Sequence, residues 1–413
     1  MSTPSPNSNP RVIFVNRFFF PDESATSQLL SDLAVGLTRQ GFEVHVVCSR
    51  LRYDDPAATL APFEAIDGVN IHRIWTSRFG RDRLLGRAVD YATFYLACTW
   101  RLLGLLRERD VVVAKTDPPL ISIVAMLAAR VRRAALVNWL QDVFPEVASE
   151  LGANPLPNWI DRGLRRLRDA SLHAARTNVV LGERMRELLQ GRGIPPSQLC
   201  LIENWAPADS GSAPAVEDSR LRARLGLGGC FVVGYSGNLG RAHEFKTLLD
   251  AATALRAEAG IRFLMIGGGT GMRQLQRAVA ERGLGNFLFL PYQPRAELAD
   301  SMAAADLHLV SLLPPLEGLI VPSKFYGILA AGRAALFVGD PDGELARVIR
   351  SSNSGVVVCT GDSDGLVCEI RTLASDPNQC RSMGERGRRR YSESYSQERA
   401  LDRWGELLQS QLP

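Results

Sequence analysis

The sequence has no apolar run long enough to cross a membrane. Its longest apolar stretch, 120–129, ends at Arg130, Arg132 and Arg133, whereas a spanning helix needs about 20 apolar residues. The first ten residues are rich in Ser, Pro and Asn and contain no apolar segment, so we expect a flexible tail and not a signal peptide. The sequence therefore predicts a cytoplasmic protein that is at most peripheral to the plasma membrane.

Paired cysteines are missing as well. None of the seven cysteines stands in a Cys-x-x-Cys pair, which argues against a disulfide framework and a zinc site and fits a reducing compartment. The aspartate pairs Asp340/Asp342 and Asp362/Asp364 lie in segments of turn-like composition, and we interpret them as turns. We therefore expect no metal site.

The net charge is also small. The 413 residues carry a formal net charge of +4, which is low for a protein that binds nucleic acid, so we expect no nucleic-acid partner. Two local arginine clusters are typical of solvated helix faces. The first, with apolar neighbours, also fits a patch that faces anionic lipid. The clusters are Arg162, Arg165, Arg166 and Arg168, next to Trp159, Ile160, Leu164 and Leu167, and Arg386, Arg388, Arg389 and Arg390.

The dinucleotide-binding fingerprint is absent where it would belong. The first β-rich run, 12–15, is followed by the loop 16–24, which contains no Gly-x-Gly-x-x-Gly, and this argues against a dehydrogenase. The loop instead contains Phe18, Phe19 and Phe20, followed by Glu23. The phenylalanines either belong to the core or, with Glu23, grip an apolar or sugar-bearing acceptor, and the sequence leaves both interpretations open.

What the sequence does contain is a regular alternation of β-rich runs and helical patterns. Strands separated by helices, without hairpin turns, imply right-handed crossovers and parallel sheets covered on both faces. A segment rich in Ala, Pro, Ser, Asp and Gly, 206–219, separates two such series. The strands are predicted at 12–15, 44–47, 111–114, 134–139, 178–181 and 200–202, and at 231–235, 262–266, 286–290, 307–311, 335–338 and 355–358.

This pattern predicts an α/β protein of two doubly wound, Rossmann-like domains that face each other across a cleft. Ligands in such sheets bind outside the carboxyl ends of the strands. The predicted parts are a flexible tail (1–10), a first domain (11–205), a linker (206–219), a second domain (220–394) and a C-terminal helix (395–413).

Glycine-rich loops follow the first two strands of the second domain. Gly237-Asn238-Leu239-Gly240-Arg241-Ala242-His243 follows one strand, and 267–271 follows the next. Glycines let the backbone approach a ligand closely, and Arg241 would add a forked donor for phosphate oxygens. The same composition also suits an ordinary strand-to-helix turn.

The most specific segment runs from Glu317 to Gly332. Pro322 and Ser323 open a helix whose first amides are expected to be unpaired. An anion there would be stabilised by those amides and by the helix dipole. Lys324, in the first turn, opposes the dipole unless an anion lies nearby, so its position favours a phosphate site.

In the first domain, the polar pair Gln141-Asp142 follows the strand 134–139. Asp142 either caps a helix or faces a reacting group, and we favour the second interpretation because the residue falls where the cleft is expected.

Taken together, these segments resemble the family-four retaining glycosyltransferases of the GT-B fold, in particular their bacterial exopolysaccharide, colanic-acid and O-antigen branch. The resemblance extends over nearly the whole chain from Arg11. It depends on 317–332, on 237–241, on Gln141-Asp142-x-x-Pro145 and on Glu203-Asn204-Trp205. The resemblance implies an N-terminal acceptor-side domain, a C-terminal nucleotide-sugar domain and a final helix that returns to the first domain.

The resemblance also implies roles for individual residues. Arg241 and Lys324 would stabilise the diphosphate leaving group, and Gln141, where many relatives carry histidine, and Asp142 would lie near the donor sugar. No cofactor is implied, because the substrate is itself a UDP- or GDP-linked sugar. The donor-binding residues are predicted to be Gly237, Asn238, Gly240, His243, Gly268, Pro291, Tyr292, Glu317, Gly318, Leu319, Ile320 and Ser323, with the amides of 318–320 on sugar hydroxyls or phosphate.

The sequence departs from the family pattern at several positions. Leu319 and Gly327 occupy the two positions of the usual Glu-x7-Glu motif, and Glu317 lies two residues before the first of them. Asn238 and His243 stand where the family has Arg and Lys, so Arg241 would have to compensate, with help from a protonated His243.

The predicted activity is transfer of a sugar, with retention, to a hydroxyl of a lipid-linked saccharide in surface polysaccharide biosynthesis. Two alternatives remain open from the sequence: a sugar-nucleotide epimerase of the same fold, and a non-catalytic protein that binds sugar nucleotides. The sequence does not indicate the oligomeric state.

Overall fold

The computed structural model describes residues 9–22, 24–52, 55, 58–80, 84–152, 157–206 and 213–412. The chain forms two compact units. The first consists of Met1–Glu203 and Glu398–Pro413, and the second of Asn204–Gln397. Most of the predicted tail and residues 207–212 of the predicted linker lie outside the described residues.

The first unit alternates strands and helices. It contains β1 (Arg11–Val15), α1 (Ala25–Arg39), β2 (Glu43–Ser49), β3 (Phe63–Ile66), β4 (Val69–Ile74), α2 (Leu84–Leu105), β5 (Val111–Lys115), α3 (Ile121–Arg132), β6 (Ala135–Trp139), α4 (Glu146–Glu150), α5 (Asn158–Ala174), β7 (Thr177–Val180), α6 (Glu183–Gly191) and β8 (Leu199–Leu201).

The sheet of the first unit has the order β3-β4-β2-β1-β5-β6-β7-β8 among the described residues. Neighbouring strands are parallel except β3 and β4, which are antiparallel. The prediction of a sheet without hairpins was therefore wrong at this edge. Asp67 and Gly68 join the two strands with φ values of 48° and 81°, as the tight turns of hairpins require.

Helices α2 and α3 cover one face of this sheet. Phe94, Cys98 and Leu102, at four-residue spacing on α2, are fully buried in one cluster with Ile13 of β1 and Val112 of β5. The period of the apolar residues therefore explains which side of α2 faces the sheet. No helix in the described part of the chain is long and apolar enough to span a bilayer.

The second unit has the same alternation. It contains α7 (Arg220–Arg224), β9 (Phe231–Asn238), α8 (Lys246–Ala254), β10 (Ile261–Gly268), α9 (Thr270–Glu281), β11 (Phe287–Leu290), α10 (Leu298–Ala303), β12 (Leu307–Ser311), α11 (Lys324–Ala330), β13 (Ala334–Gly339), α12 (Glu344–Ser352), β14 (Gly355–Cys359), α13 (Ser363–Ser375) and α14 (Pro377–Ser394).

In the second unit the described strands form a wholly parallel sheet in the order β11-β10-β9-β12-β13-β14. Connections from β9 run to one side and those from β12 to the other, so the topological switch point lies between these two strands. Ligands of doubly wound sheets bind outside the carboxyl ends of the strands at such a point. The ends of β9 and β12 are therefore the first place to look for a site.

The last helix, α15 (Gln397–Gln411), packs on the first unit. Trp404 is fully buried and contacts Trp139 edge to face, with ring centroids 4.8 Å apart. Arg403 forms an ion pair of 2.8 Å with Glu203. The chain thus begins and ends in the same unit.

Candidate functional site

The glycine-rich loops after β9 and β10 fit against each other. Gly237, Gly267 and Gly269 have φ values between 110° and 127°, a backbone conformation that favours glycine. A side chain on Gly267 would collide with the backbone of Gly237, and one on Gly269 with Asn238. These glycines are needed first for packing between neighbouring loops, while Gly240, farther along, is more open.

Lys324 extends toward the loop after β9. Its ammonium donates to the Tyr235 hydroxyl and lies 3.3 Å from the carbonyl oxygen of Asn238 and 3.3 Å from Nε2 of His243. It also lies 4.2 Å from the centre of the Tyr235 ring. Burial lowers the pKa of Lys324 to about 7. The side chain thus joins the start of α11 to the switch point, with neutral acceptors around it.

His243 connects β12 to the same cluster. Its Nδ1 lies 2.7 Å from the carbonyl oxygen of Ser311, the last residue of β12. Burial, reinforced by the Lys324 charge, lowers the pKa of His243 to about 4. The expectation of a protonated His243 was therefore wrong. The neutral ring donates from Nδ1 to Ser311 and accepts from Lys324 at Nε2, so it positions a cation instead of supplying one.

Arg241 lies in the same loop and is exposed. Its guanidinium has no hydrogen-bond or ion-pair partner among the described residues, so it remains available to an incoming anion. Arg241 and Lys324 are therefore the two cationic side chains that the loop after β9 and the start of α11 provide.

The amides at the start of α11 are only partly available. The N–H groups of Phe325 and Tyr326 donate to the carbonyl oxygens of Pro322 and Ser323, at 3.2 Å each. The prediction that the first amides are unpaired was therefore wrong for Phe325 and Tyr326. At the start of this helix, the N–H groups of Ser323 and Lys324 have no acceptor among the described residues.

The loop 317–320 differs from the prediction in a similar way. The N–H groups of Leu319 and Ile320 donate to the Leu316 carbonyl oxygen at 3.0 and 3.3 Å, so of the three amides predicted to bind the donor only that of Gly318, with φ 73°, is left. Glu317 accepts from the Glu344 N–H at 3.1 Å and packs on Gly343. Its carboxylate thus caps α12.

Pro291 and Tyr292, predicted to read the base, follow β11 and are exposed. The Tyr292 ring lies against Gly268, the other residue of that prediction. The three positions are therefore brought together, with an aromatic face open to solvent.

In the first unit, Asp142 follows β6 and is held by the Thr116 side chain after β5. Burial raises the pKa of Asp142 to about 6. Its Oδ1 is buried and has no hydrogen-bond partner within the described residues. The carboxyl borders a cavity of about 30 Å³ with Lys115 and Asn138. Asp142 does not cap α4, whose N-cap position is Pro145, and Gln141 beside it is half-buried.

The residues of this unit that were predicted to bind the acceptor differ in their exposure. Phe18 and Phe19 are buried in the core and Phe20 is half exposed, so an acceptor grip by all three was wrong and only Phe20 is available. Glu23 lies outside the described residues.

The arginine cluster on α5 is not a free basic patch. Arg168 is buried and binds Glu146 with both terminal nitrogens, at 2.8 and 3.0 Å. Arg165 forms ion pairs with Glu146 and Asp161. The Arg168 hydrogen bonds and charge overcome the burial penalty and lower the pKa of Glu146 to about 2. Of the four arginines, Arg162 and Arg166 remain exposed.

Within the described residues, no group of three or more His, Cys, Asp and Glu side chains is placed to hold a metal ion. Asp340 accepts from the Asp342 N–H, and Asp362 caps α13 through the Gly365 N–H. The interpretation as turn residues is therefore confirmed for Asp340 and Asp342, whereas Asp362 is the N-cap of α13 and Asp364 lies in its first turn.

Two family models match the chain in succession. Residues 26–205 match the glycosyl transferase 4-like domain, and residues 219–390 match the glycosyl transferases group 1 model. This chain belongs to the family-four glycosyltransferases. Its fold is GT-B, as predicted, with two parallel-sheet α/β domains.

Two curated proteins are similar to this glycosyltransferase. The chain is 28% identical over 287 residues to a protein named as a probable glycosyltransferase, WbjE from Pseudomonas aeruginosa, a match that covers 67% of this chain and 69% of WbjE. It is 29% identical over 184 residues to WcaI of Escherichia coli K12, named as a colanic acid biosynthesis glycosyl transferase, a match that covers 44% and 45% of the two chains.

Solved structures share the fold of the glycosyltransferase at low identity. Sucrose-phosphate synthase from Thermosynechococcus elongatus matches with a TM-score of 0.76, 16% identity and coverage of 97% and 99%. HepE of Anabaena, in complex with UDP and glucose, matches with a TM-score of 0.72 and 16% identity, and the match covers 97% of this chain and 100% of HepE. WaaG, a glycosyltransferase involved in lipopolysaccharide biosynthesis, matches with a TM-score of 0.69 and 15% identity, and the match covers 96% of this chain and 99% of WaaG.

Sequence reasoning missed Tyr235 and Thr116 at the candidate site of the glycosyltransferase. Tyr235 lies in the buried strand β9, and its hydroxyl donates to the Asn238 carbonyl oxygen at 2.8 Å. One signal was present, because a buried tyrosine near the end of a strand needs a partner for its hydroxyl. Thr116 had no comparable signal.

Proposed function

We propose that this glycosyltransferase moves a sugar, with retention, from a UDP- or GDP-linked donor to a hydroxyl of a lipid-linked saccharide in bacterial surface polysaccharide biosynthesis. The observation that carries the donor part is the position of Lys324 at the switch point of the second sheet, together with Arg241 in the loop after β9, which has no partner among the described residues. The name of WcaI, a colanic acid biosynthesis glycosyl transferase, supports the polysaccharide role, and HepE bound to UDP supports a nucleotide donor.

The donor diphosphate docks between Arg241 and the start of α11. Arg241 approaches as a forked donor, which suits phosphate oxygens. Lys324 and the free N–H groups of Ser323 and Lys324 approach from the other side. Each well-placed donor to developing charge contributes about 3 kcal/mol to stabilising the leaving group.

The protonation state of Lys324 depends on its surroundings. Because its pKa is about 7, the Lys324 side chain is about half protonated near neutral pH before the donor binds. A diphosphate beside it favours the charged form, so donor binding is accompanied by partial proton uptake. His243 remains neutral and keeps Lys324 directed toward the loop after β9.

The transfer step is proposed to be a front-face displacement. The bond between the anomeric carbon and the diphosphate oxygen breaks, and a bond to the acceptor oxygen forms on the same face. The acceptor proton passes to the departing phosphate oxygen. Asp142 and Gln141, from the first domain, act on the sugar, and no metal or cofactor takes part.

The acceptor and its location complete the proposal. Phe20 is the exposed phenylalanine of the first-domain loop, and it provides an apolar contact for a lipid-linked acceptor. Such an acceptor would place the enzyme at the inner face of the plasma membrane.

A transfer assay tests the proposal. Purified protein is incubated separately with labelled UDP-linked amino sugars and GDP-fucose, together with a bacterial lipid extract, and the product anomer is determined by NMR. We expect label in the lipid fraction with the anomeric configuration of the donor. Free epimerised sugar, an inverted product, or binding without turnover would contradict the proposal, and Arg277→Ala on the exposed face of α9 serves as a variant control.

A further inference from the structure

Helix α2 is apolar on two opposite faces. Its inner face lies in the core of the first unit. Its outer face carries Leu85, Val89, Leu96 and Trp100, with 82%, 43%, 65% and 78% of their surfaces exposed. Their spacing of four, seven and four residues places them in one stripe along the helix. A surface helix normally carries charged residues on this side, so the stripe calls for an explanation.

The neighbouring helix α3 extends this stripe. It packs beside α2 on the same face of the sheet, and Leu127 and Val131 on its outer side are 54% and 69% exposed. We call these six side chains the α2–α3 surface. By contrast, the described part of the second unit contains one exposed large apolar side chain, Tyr292.

The charged residues of the two helices are of one sign. Their sequences contain four arginines (Arg87, Arg101, Arg130 and Arg132) and one acidic residue, Asp90. Asp90 is buried and accepts from the Ser77 hydroxyl at 2.6 Å and the Phe79 N–H at 3.0 Å. The arginines are exposed. Among the described side chains of α2 and α3, basic groups therefore border the apolar stripe without exposed acids.

We infer that the α2–α3 surface docks on an anionic lipid bilayer, with α2 lying in the plane of the interface. A basic rim around an apolar stripe is the pattern of interfacial helices, and each arginine near an anionic bilayer strengthens binding about fivefold. Two copies of the surface placed face to face would bring like charges together, which disfavours a second copy as the occupant. The inner face of α2 remains in the core, so docking needs no unfolding.

The tryptophans provide a second observation. Trp139, Trp205 and Trp404 are buried, whereas Trp75, Trp100 and Trp159 are 65%, 78% and 70% exposed. All three exposed tryptophans belong to the first unit, and Trp159 begins α5, which packs beside α3. Tryptophan is the side chain most suited to the boundary between lipid and water. The inference deepens the proposed function, on whose membrane location it rests, by naming the surface responsible.

The test is vesicle binding without donor or acceptor, so that failure of docking and failure of transfer are distinguishable. Full-length protein is sedimented with phosphatidylcholine vesicles that contain or lack phosphatidylglycerol. We expect binding to the anionic vesicles, a blue shift of tryptophan emission that is reduced in Trp100→Phe, and weaker binding at high salt. Leu96→Ser with Trp100→Ser should lower vesicle affinity by at least about tenfold, because two large apolar side chains are no longer buried in the bilayer.

Matched variants separate charge from folding. Arg130→Gln, on α3, should weaken binding to anionic vesicles about fivefold, whereas Arg277→Gln, on the exposed face of α9 in the second unit, should not. Thermal melts confirm that each variant is folded. Unaltered vesicle binding in the Leu96/Trp100 variant, no vesicle binding by the wild type, or a wild-type dimer that these substitutions dissociate would each overturn the inference.

Discussion

The Lys324 ammonium is surrounded by neutral groups. The Tyr235 hydroxyl, the Asn238 carbonyl and the neutral His243 ring orient it, and none of them neutralises its charge. Because these described neighbours leave the charge uncompensated, the cation is stabilised most when an anion binds next to it. The pKa shift and the geometry thus lead to the same expectation, a phosphate site.

Donor affinity should depend on pH through Lys324. Only the protonated amine attracts the diphosphate, and burial lowers the pKa of Lys324 to about 7, so we expect affinity to fall as the pH rises from 7 to 9. Lys324→Met should weaken binding about tenfold to a hundredfold at pH 6.5 or below and abolish this dependence. Calorimetric titration measures both effects, with Lys246→Met on the exposed face of α8 as the control. The same pH dependence in Lys324→Met would contradict the assignment.

Asp142 should limit stability while serving the reaction. Burial raises its pKa to about 6 from roughly 3.9 in an unfolded chain, which corresponds to about 3 kcal/mol of destabilisation once the group is ionised. Asp142→Asn should therefore stabilise the first unit above pH 6, with the gain shrinking as the pH falls and vanishing below about pH 4. Urea unfolding at several pH values measures this.

The transfer rate of Asp142→Asn should also be about a hundredfold lower than that of the wild type. Asp364→Asn, an exposed residue of α13, is the control and should change neither quantity. A stability gain for Asp142→Asn that is constant across the pH range would show that relief of the buried charge is not its cause.

At the scale of elements, α4 and α5 are joined by the buried pair of Glu146 and Arg168. Both carboxylate oxygens of Glu146 are bound by one guanidinium. Arg168→Leu would leave this carboxylate to the more exposed Arg165 and Arg192, so it should cost about 1–3 kcal/mol of unfolding free energy. Arg166→Leu, two residues away and exposed, should change it by less than about 0.5 kcal/mol. Denaturant titration compares the two, and equal effects would mean that the pair is not what stabilises α5.

The elements themselves were largely predictable, because buried parallel strands are short apolar runs and the helices between them have a different period. The β3–β4 hairpin was missed although Asp67-Gly68 carries a turn signal, since Phe63–Ile66 is mostly exposed and lacks a buried pattern. Helix α2 was missed as a surface feature because apolar residues on two faces obscure its amphipathic period.

The site was predictable in its segments and not in its contacts. The loops 237–243 and 317–324 carry motifs that place them at strand ends. Whether Leu319 donates to Leu316, or His243 is neutral beside Lys324, depends on tertiary distances that sequence spacing does not contain. Burial of Phe18 and Phe19 was undecided for the same reason.

At the scale of the whole molecule, the chain returns to its first unit through α15. Trp404 is fully buried against Trp139, so Trp404→Ala should destabilise the first unit by about 3–5 kcal/mol. Calorimetry should show a lower melting temperature for one unit, while UDP- or GDP-sugar binding continues to stabilise the other. Equal destabilisation of both transitions would contradict the expectation that Trp404 stabilises the first unit.

The most direct test of the central claim is donor binding after both cations of the phosphate site are removed. Arg241→Ala combined with Lys324→Ala should weaken nucleotide-sugar binding by at least about a hundredfold, as measured by titration calorimetry. Lys246→Ala with Arg277→Ala removes one lysine and one arginine from exposed helix faces of the same unit, and it should leave nucleotide-sugar affinity unchanged. Undiminished affinity and turnover in the first double variant would contradict the account.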